Sequence, residues 1–135
     1  MALTQVCDRK KRLLVTTFRG EISGQEIMDA YTRIYMQPMF DETFHQLWDC
    51  RYVDRFVFDT NDMAGIKQLA TTFCPGTEQP LGKIAIIASN EEIIDSAKDI
   101  IASTGEHARK KILFNSLEEG LDWLGIENLP AYLLN

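Results

Sequence analysis

The sequence predicts an α/β protein with a mixed β-sheet of about five strands, in the order β-β-α-β-α-β-α-β-α, and helices packed against the sheet. Short runs rich in β-formers alternate along the chain with stretches of helical periodicity. Three S-x-x-E capping motifs, at 23–26, 89–92 and 116–119, mark helix starts. The run at 83–88 is almost wholly apolar, as expected of a strand that is covered on both faces.

The first two strands are predicted to form an antiparallel hairpin. Residues 3–7 are a weak strand, the charged cluster at 8–12 is the hairpin tip, and 13–18 is a stronger strand that ends at Gly20. The first helix follows, with Ser23 and Glu26 as its capping box and Ile22 and Ile27 as a hydrophobic staple. The helix closes near Pro38.

The third strand is predicted at 46–50, and residues 52–58 are interpreted as a surface connection. A second helix should begin near Asp59 or Thr60 and end at the Cys-Pro-Gly sequence at 74–76. Met63, Ile66, Ala70 and Phe73 share one face of that helix. The strand at 83–88 comes next.

The C-terminal third repeats the same strand and helix pattern. The helix opened by the capping box at Ser89 should end before Gly105, where glycine is typical of the first residue after a helix. The last strand is at 112–114. Ser116 opens the final helix, which ends at Gly125. Right-handed crossovers would make the later strands parallel.

Length and charge limit the classes of function. The 135 residues are enough for one domain spanning 1–135. With 14 basic and 20 acidic residues, the net charge of −6 argues against nucleic-acid binding and anionic membranes. No apolar run approaches the roughly 20 residues of a membrane span, so no membrane insertion is expected. Three widely spaced cysteines and the absence of a signal peptide predict a cytoplasmic protein.

Three segments carry a resemblance to a known fold. They are 18–23 (FRGEIS), 47–51 (LWDCR) and 114–124 (FNSLEEGLDWL). With this element order, nearly the whole chain resembles the STAS-type, SpoIIAA-like fold, and within it the STAS/SEC14 branch of small bacterial proteins. The resemblance implies a SpoIIAA-like α/β domain.

The resemblance also implies a phosphorylation site. In the anti-sigma-factor antagonists of this fold, a serine at the start of the second helix, within an Asp-Ser-small-Gly pattern, is phosphorylated by a partner kinase. Asp59 and Thr60 occupy the similar place here, so Thr60 is the candidate phospho-acceptor. No glycine follows, and Asp59 and Asp62 would repel a phosphate. A plain helix N-cap is the alternative, and the one we favour.

Asp49 and Arg51 straddle Cys50 at the end of the predicted third strand, so alternation places both on one face. They would either bind a polar ligand in the crevice at the strand ends or, as we favour, have a structural role, in which they cap neighbouring backbone groups or pair with each other. No catalytic or metal-binding set is evident. His45 and His107 are far apart in the chain, and Asp49 makes Cys50 a poor thiolate. We therefore expect no cofactor, no metal and no enzyme activity.

An apolar segment favours an interaction function. Tyr52, Phe56 and Phe58 crowd the predicted connection, and the tail at 129–134 is also apolar. Either segment could instead fold back onto its own domain. The leading hypothesis is a non-catalytic, regulatory protein-interaction module that forms a homodimer through residues 52–58 or the C-terminal tail, or that binds another protein. The alternative, implied by the SEC14-like side of the resemblance, is a carrier or sensor of a small apolar ligand. Its cleft would lie beneath the helices, with Arg51 or Tyr52 at the mouth.

Overall fold

The computed structural model describes residues 2–38, 40–73, 82–104, 109–127 and 129. Within these residues, strands and helices follow one another in the predicted order. The strands are β1 (Leu3–Asp8), β2 (Leu13–Ser23), β3 (His45–Val57), β4 (Ile84–Ile87) and β5 (Lys111–Phe114). The helices are α1 (Gly24–Tyr35), α2 (Thr60–Phe73), α3 (Glu91–Thr104) and α4 (Leu117–Leu124).

The strands form one mixed sheet in the order β1-β2-β3-β4-β5. β1 pairs antiparallel with β2, and the other neighbouring strands are parallel. This confirms the predicted fold class. β2 and β3 are longer than their neighbours. β1 pairs only with 13–18 of β2, and β4 only with 46–49 of β3. Residues 19–23 and 51–57 therefore extend past the rest of the sheet as a two-stranded ribbon.

The two faces of the sheet carry cores of different size. α1, α2 and α3 cover one face, where Leu14, Phe18, Trp48 and Ile86 belong to the larger core. α4 covers the opposite face with a smaller core that contains Leu13, Val15, Leu47, Ala85, Ile87 and Leu124. Successive right-handed crossovers to the next strand along place their helices on the same face, which explains the unequal layers.

Side chains at the helix starts bind the free backbone N–H groups, each worth about 1 kcal/mol. The predicted capping box of α1 is present in both directions between Ser23 and Glu26. Ser116 caps α4, which ends at Gly125 in the left-handed region with φ +74°. The prediction for α3 is wrong by one residue. Its cap is Asn90, whose Oδ1 accepts from the Glu92 N–H, since Asn is as good a cap as Ser.

Two predicted strand ends are wrong, and both lie in the ribbon. β2 does not stop at Gly20 but passes through it, because glycine adopts φ +70° there without strain. β3 does not stop at Cys50, and residues 52–57, which we predicted to form a connection, are its continuation. In both strands, the part that the prediction missed is the part where the pairing of β2 with β3 is irregular.

Several predictions fall outside the described residues. They concern the helix stop at 74–76, Gly105, His107, Cys74 and the tail beyond Leu129. No helix in the described part of the chain is both long enough and apolar enough to cross a membrane.

Candidate functional site

Two β-bulges shape the outer half of β3. The partner residues advance from Asp49 to Tyr52 while β2 advances by only two residues. They then advance from Val53 to Arg55 while β2 advances by one. Each step adds one residue to β3 and re-aims the side chains around it. From Cys50 onward, the residues of β3 that face the larger core are consequently Cys50, Val53 and Phe56, at intervals of three.

The bulges turn a set of polar side chains to the sheet face opposite α1–α3. We call this set the outer ribbon face, and its members are Arg19, Glu21, Arg51, Tyr52 and Arg55. Tyr52 is 47% exposed, although it is a large aromatic residue in the middle of a strand. The ribbon thus displays a tyrosine among arginines instead of burying it.

Asp49, which is buried, and Arg51, which is half-buried, form an ion pair at the base of the ribbon. Arg51 donates from Nε to Oδ1 and from Nη2 to Oδ2 of Asp49, both at 2.9 Å, and its backbone N–H donates to Oδ1 at 3.2 Å. The Asp49 side chain is fully buried and that of Arg51 is 29% exposed. These hydrogen bonds raise the pKa of Arg51. The predicted shared face is correct, and the two residues pair with each other.

Tyr52 lies between two guanidinium groups. The Arg19 and Arg51 Cζ atoms are 4.7 and 5.2 Å from the centre of its ring, within the range of a cation–π contact. Asp49 holds Arg51 in place. Within the described part of the chain, Arg19 has no carboxylate within 4 Å. The Arg55–Glu21 ion pair, at 2.8 Å, is more than half exposed on both sides and adds little stability.

Phe56 and Phe58 lie on the other side of the ribbon from Tyr52. Their ring centres are 5.2 Å apart, and Phe56 also contacts Phe18 at 6.2 Å. The two rings line an open groove of about 350 Å³, together with Met63 of α2 and Ser96, Asp99, Ala102 and Ser103 of α3. The predicted site residues therefore divide between two surfaces. Arg51 and Tyr52 belong to the outer ribbon face, with Asp49 buried beneath them, and Phe56 and Phe58 belong to the groove.

Asp59 and Thr60 stand at the start of α2. Asp59 is the N-cap, because its Oδ1 accepts from the Asp62 N–H at 2.7 Å, and Asp62 Oδ2 accepts from the Asp59 N–H at 3.0 Å. Thr60 is the first residue of the helix and is exposed. The geometry matches the alternative interpretation of this segment as a plain helix cap, and phosphorylation of Thr60 stays a prediction.

Burial shifts the pKa values of Cys50 and His45, the two candidate groups on β3. Burial, reinforced by Asp49, strongly raises the pKa of the Cys50 thiol, so it stays protonated at neutral pH. Burial lowers the pKa of His45, whose Nδ1 accepts from the Lys83 N–H at 2.9 Å. No group of three or more His, Cys, Asp or Glu within the described ranges could hold a metal ion.

Sequence reasoning missed Arg19 and Asp99. Arg19 reaches Tyr52 only through the pairing of β2 with β3, which a local pattern does not reveal. Asp99 lies on a polar stretch of α3 that resembles an ordinary solvated face, and only the packing of α3 near the ribbon places it in the groove. Neither residue has a short motif that could have identified it.

Comparison with known proteins places the fold. No model of a known protein family matches the chain, and neither does any curated protein sequence. Solved structures do match. One is an uncharacterized protein of the DUF3478 family with a SpoIIAA-like fold from Shewanella loihica PV-4. It is 15% identical, the match covers 91% of this chain and 92% of that chain, and the TM-score is 0.58.

Another match is the anti-sigma factor antagonist SpoIIAA in its unphosphorylated form. It is 11% identical, with 92% of this chain and 98% of that chain covered and a TM-score of 0.50. Identities this low speak for the fold alone. Together with the five-stranded mixed sheet and four helices, they confirm the predicted resemblance: the chain has a SpoIIAA-like fold.

Proposed function

We propose that this chain is a non-catalytic protein-interaction module with a regulatory role, and that the outer ribbon face is its docking surface. The observation that carries the proposal is Tyr52, which is 47% exposed and held between Arg19 and Arg51. Tyrosine and arginine are the residue types that most often dominate binding energy at protein interfaces. One fold neighbour is an anti-sigma factor antagonist, which supports a regulatory role.

The surface is also prepared for binding before a partner arrives. The two hydrogen bonds between the side chains of Asp49 and Arg51 fix the guanidinium that supports the Tyr52 ring. Side chains that are already ordered lose less conformational entropy on association, a saving of roughly 0.5–1.5 kcal/mol for each one. Arg19, with no carboxylate within 4 Å among the described residues, is left to meet an acidic group of the partner.

The first partner to test is a second copy of this chain. Pairing of β3 with β4 stops at Asp49, so the ribbon residues 51–57 have no strand on that side within the described part of the sheet. An unpaired strand edge accepts a strand from another chain. A two-fold dimer would pair the β3 edges of two ribbons and bring their outer ribbon faces next to each other. Another protein that supplies a strand to this edge and an acidic side chain to Arg19 would use the edge and the face together.

The experiment measures self-association by sedimentation equilibrium and native mass spectrometry. If the outer ribbon face is the interface, Tyr52→Ala combined with Arg19→Glu should weaken the dimer at least about tenfold. Arg33→Glu on α1 makes the same change of charge away from the ribbon, and its dimer should be unaffected. Substituting Asp for Phe56 is unsuitable, because Phe56 packs on the larger core and a charge there would damage the fold.

Two results would contradict the proposal. A dimer that survives the Tyr52 and Arg19 substitutions would place the interface elsewhere. The second result has two parts: the protein is a monomer at every concentration, and the Tyr52 and Arg19 variant copurifies with the same proteins as the wild type. Together they would show that the outer ribbon face docks no partner.

The second candidate function is carriage or sensing of a small apolar ligand. The groove of about 350 Å³ with Phe56, Phe58 and Met63 in its wall supports it. Arg51 and Tyr52, predicted at the mouth of such a cleft, instead belong to the outer ribbon face. Native mass spectrometry would reveal a bound ligand as an added mass on the monomer, which a protein-interaction module alone does not require.

We further propose that the start of α2 serves as a structural cap. Asp59 and Asp62 already accept the N–H groups that a phosphate on Thr60 would seek, and both carboxylates would repel it. The intact mass of protein isolated from its own cells tests this proposal. A phosphorylated fraction that disappears in Thr60→Val would establish the phospho-acceptor instead.

A further inference from the structure

The groove between the ribbon and α3 holds a combination of side chains that the proposed docking surface does not use. We propose that it binds a small organic cation of the alkylammonium class, with the apolar part of the ligand on Phe56 and Phe58 and its charge at Asp99. The volume of about 350 Å³ lies at the lower end of the roughly 300–1,000 Å³ typical of small-molecule sites.

The aromatic wall is the first observation. Phe56 and Phe58 are 5.2 Å apart with an angle of 35° between their rings. Phe56 is braced from behind by Phe18, which is fully buried, so the wall has little freedom to collapse into the space. Aromatic faces attract cations within about 6 Å of the ring centre, and the attraction is strongest where water is partly excluded. Met63 adds a polarizable sulfur to the same wall.

The second observation is the charge of the lining. Among the described side chains that line the groove, Asp99 is the single charged residue, and it is exposed to solvent. Ser96 and Ser103 lie three residues before it and four residues after it on α3, and therefore on the same helical face. Within the described residues, no lysine or arginine lies within 4 Å of Asp99. A carboxylate beside an aromatic wall, without a cation of its own, is complementary to a positively charged ligand.

The distribution of basic residues over the chain also favours a positively charged ligand in the groove. Eight of the 14 Lys and Arg residues lie in or next to the starts of strands β2, β4 and β5, at the far end of the sheet from the groove. They are Arg9, Lys10, Lys11, Arg12, Lys83, Arg109, Lys110 and Lys111. All four helices begin at the groove's end of the sheet, and α2, α3 and α4 have acidic residues in their first turns. This asymmetry favours the approach of cations to the groove and disfavours anions.

The chemistry of the lining also narrows the ligand class. A bare metal ion would need several oxygen ligands, whereas the groove offers one carboxylate and two hydroxyls beside an apolar wall. A purely apolar ligand, the second candidate above, would contact the aromatic wall and make no use of the exposed Asp99 carboxylate. An ammonium group that carries methyl or alkyl substituents can pack its substituents on the aromatic wall and pair its charge with Asp99.

The test is a titration of the protein with choline and, separately, with 3,3-dimethylbutan-1-ol, which has the same shape without the charge. Backbone amide NMR shifts of the groove residues report binding. We expect choline to bind at least about tenfold more tightly than its neutral analogue, a difference of about 1.4 kcal/mol. Asp99→Asn should lower choline affinity about fivefold or more, and Phe58→Leu should lower it as well.

Asp95→Asn is the matched control, because Asp95 is exposed one turn earlier on α3 and does not line the groove. It should leave choline affinity unchanged. Equal loss in Asp95→Asn and Asp99→Asn would overturn the proposal in favour of general electrostatic attraction. Equal binding of choline and the neutral analogue, or no saturable binding of choline, would overturn it too. The Tyr52 and Arg19 substitutions should not affect choline binding, so this proposal and the docking surface fail independently.

Discussion

The two halves of β3 are built for different tasks. In the inner half, 45–50, Leu47 is fully buried and Trp48 and Cys50 are 7% and 2% exposed. In the outer half, 51–57, Tyr52 and Val57 are 47% and 43% exposed. The inner half has a strand on each side and a helical layer over each face, whereas the outer half keeps only β2 as its neighbour within the described sheet. The first half of β3 therefore forms part of the core, and its second half exposes side chains that a partner can contact.

The inner half shows how polar groups are accommodated when water is excluded. Gln46 is fully buried, yet it donates to the Tyr35 hydroxyl and accepts from Trp48 Nε1, both at 3.4 Å. Thr16 on β2 shares a 2.9 Å hydrogen bond with Tyr31 of α1. Because a buried polar group without a partner costs free energy, these contacts orient α1 over the sheet. The outer half leaves its polar groups to solvent, and so to a partner.

The largest expected contrast is between buried and exposed aliphatic residues of the same strand. Leu47→Ala should lower the free energy of unfolding by about 2–5 kcal/mol, because it leaves a cavity in the smaller core. Val57→Ala at the end of the ribbon should cost about 0.5 kcal/mol or less. Urea denaturation of both variants measures the two losses. Similar losses would mean that the ribbon contributes to the core as much as the sheet does.

The junction between the halves should be nearly as sensitive. Arg51→Met leaves the fully buried Asp49 carboxylate without its ionic partner and should cost about 3 kcal/mol. Arg55→Met breaks the exposed pair with Glu21 and should cost less than about 1 kcal/mol. The same denaturation measurement applies. A small effect of Arg51→Met would show that the ion pair does not anchor the ribbon.

The second bulge provides a smaller test of the ribbon's backbone. Gly20 lies opposite Val53 at the bulge and has φ +70°. Its nearest potential contact for an added side chain is 4.0 Å away, so the strain of Gly20→Ala is conformational, about 1–2 kcal/mol. Gly20→Asn should cost less, because asparagine tolerates this region better. Equal stability of wild type and Gly20→Ala would contradict the positive φ.

Alkaline pH tests the burial of Cys50 at the end of the inner half. An unfolded thiol loses its proton near pH 9, whereas burial raises the pKa of Cys50 in the folded chain and keeps it protonated. Above pH 9 the unfolded state therefore binds fewer protons, and stability should fall by about 1.4 kcal/mol for each pH unit. Cys50→Ala should flatten this decline.

Urea midpoints between pH 8 and pH 10 measure that slope. The upper limit matters because Tyr31, buried and with its pKa raised, adds its own alkaline loss at higher pH. Burial raises the pKa of Cys7 as well, but Cys7 is only half-buried, so Cys7→Ala is the control and should keep most of the decline. An identical slope in wild type and Cys50→Ala would show that the Cys50 thiol ionises in the folded protein.

Patterns that depend on neighbouring residues could be predicted from the sequence. The capping box at Ser23, the cap at Ser116 and the run at 83–88 were each placed correctly because their partners lie within four residues or in a continuous stretch. The same holds for Asp49 and Arg51, two residues apart on one strand. The outer half of β3 was missed because, from the junction onward, the residues that face the larger core, Cys50, Val53 and Phe56, recur every three residues rather than every two.

The sequence by itself determined the order of the elements and the α/β class, since hydrophobic periodicity and helix caps are local properties of the chain. Only the tertiary structure decided which side chains form sites. Arg19 meets Tyr52, and Asp99 joins Phe58, through strand pairing and helix packing between distant segments. The bulge that sets Tyr52 opposite Arg19 arises from the fit between β2 and β3, a property of the pair that neither strand encodes alone.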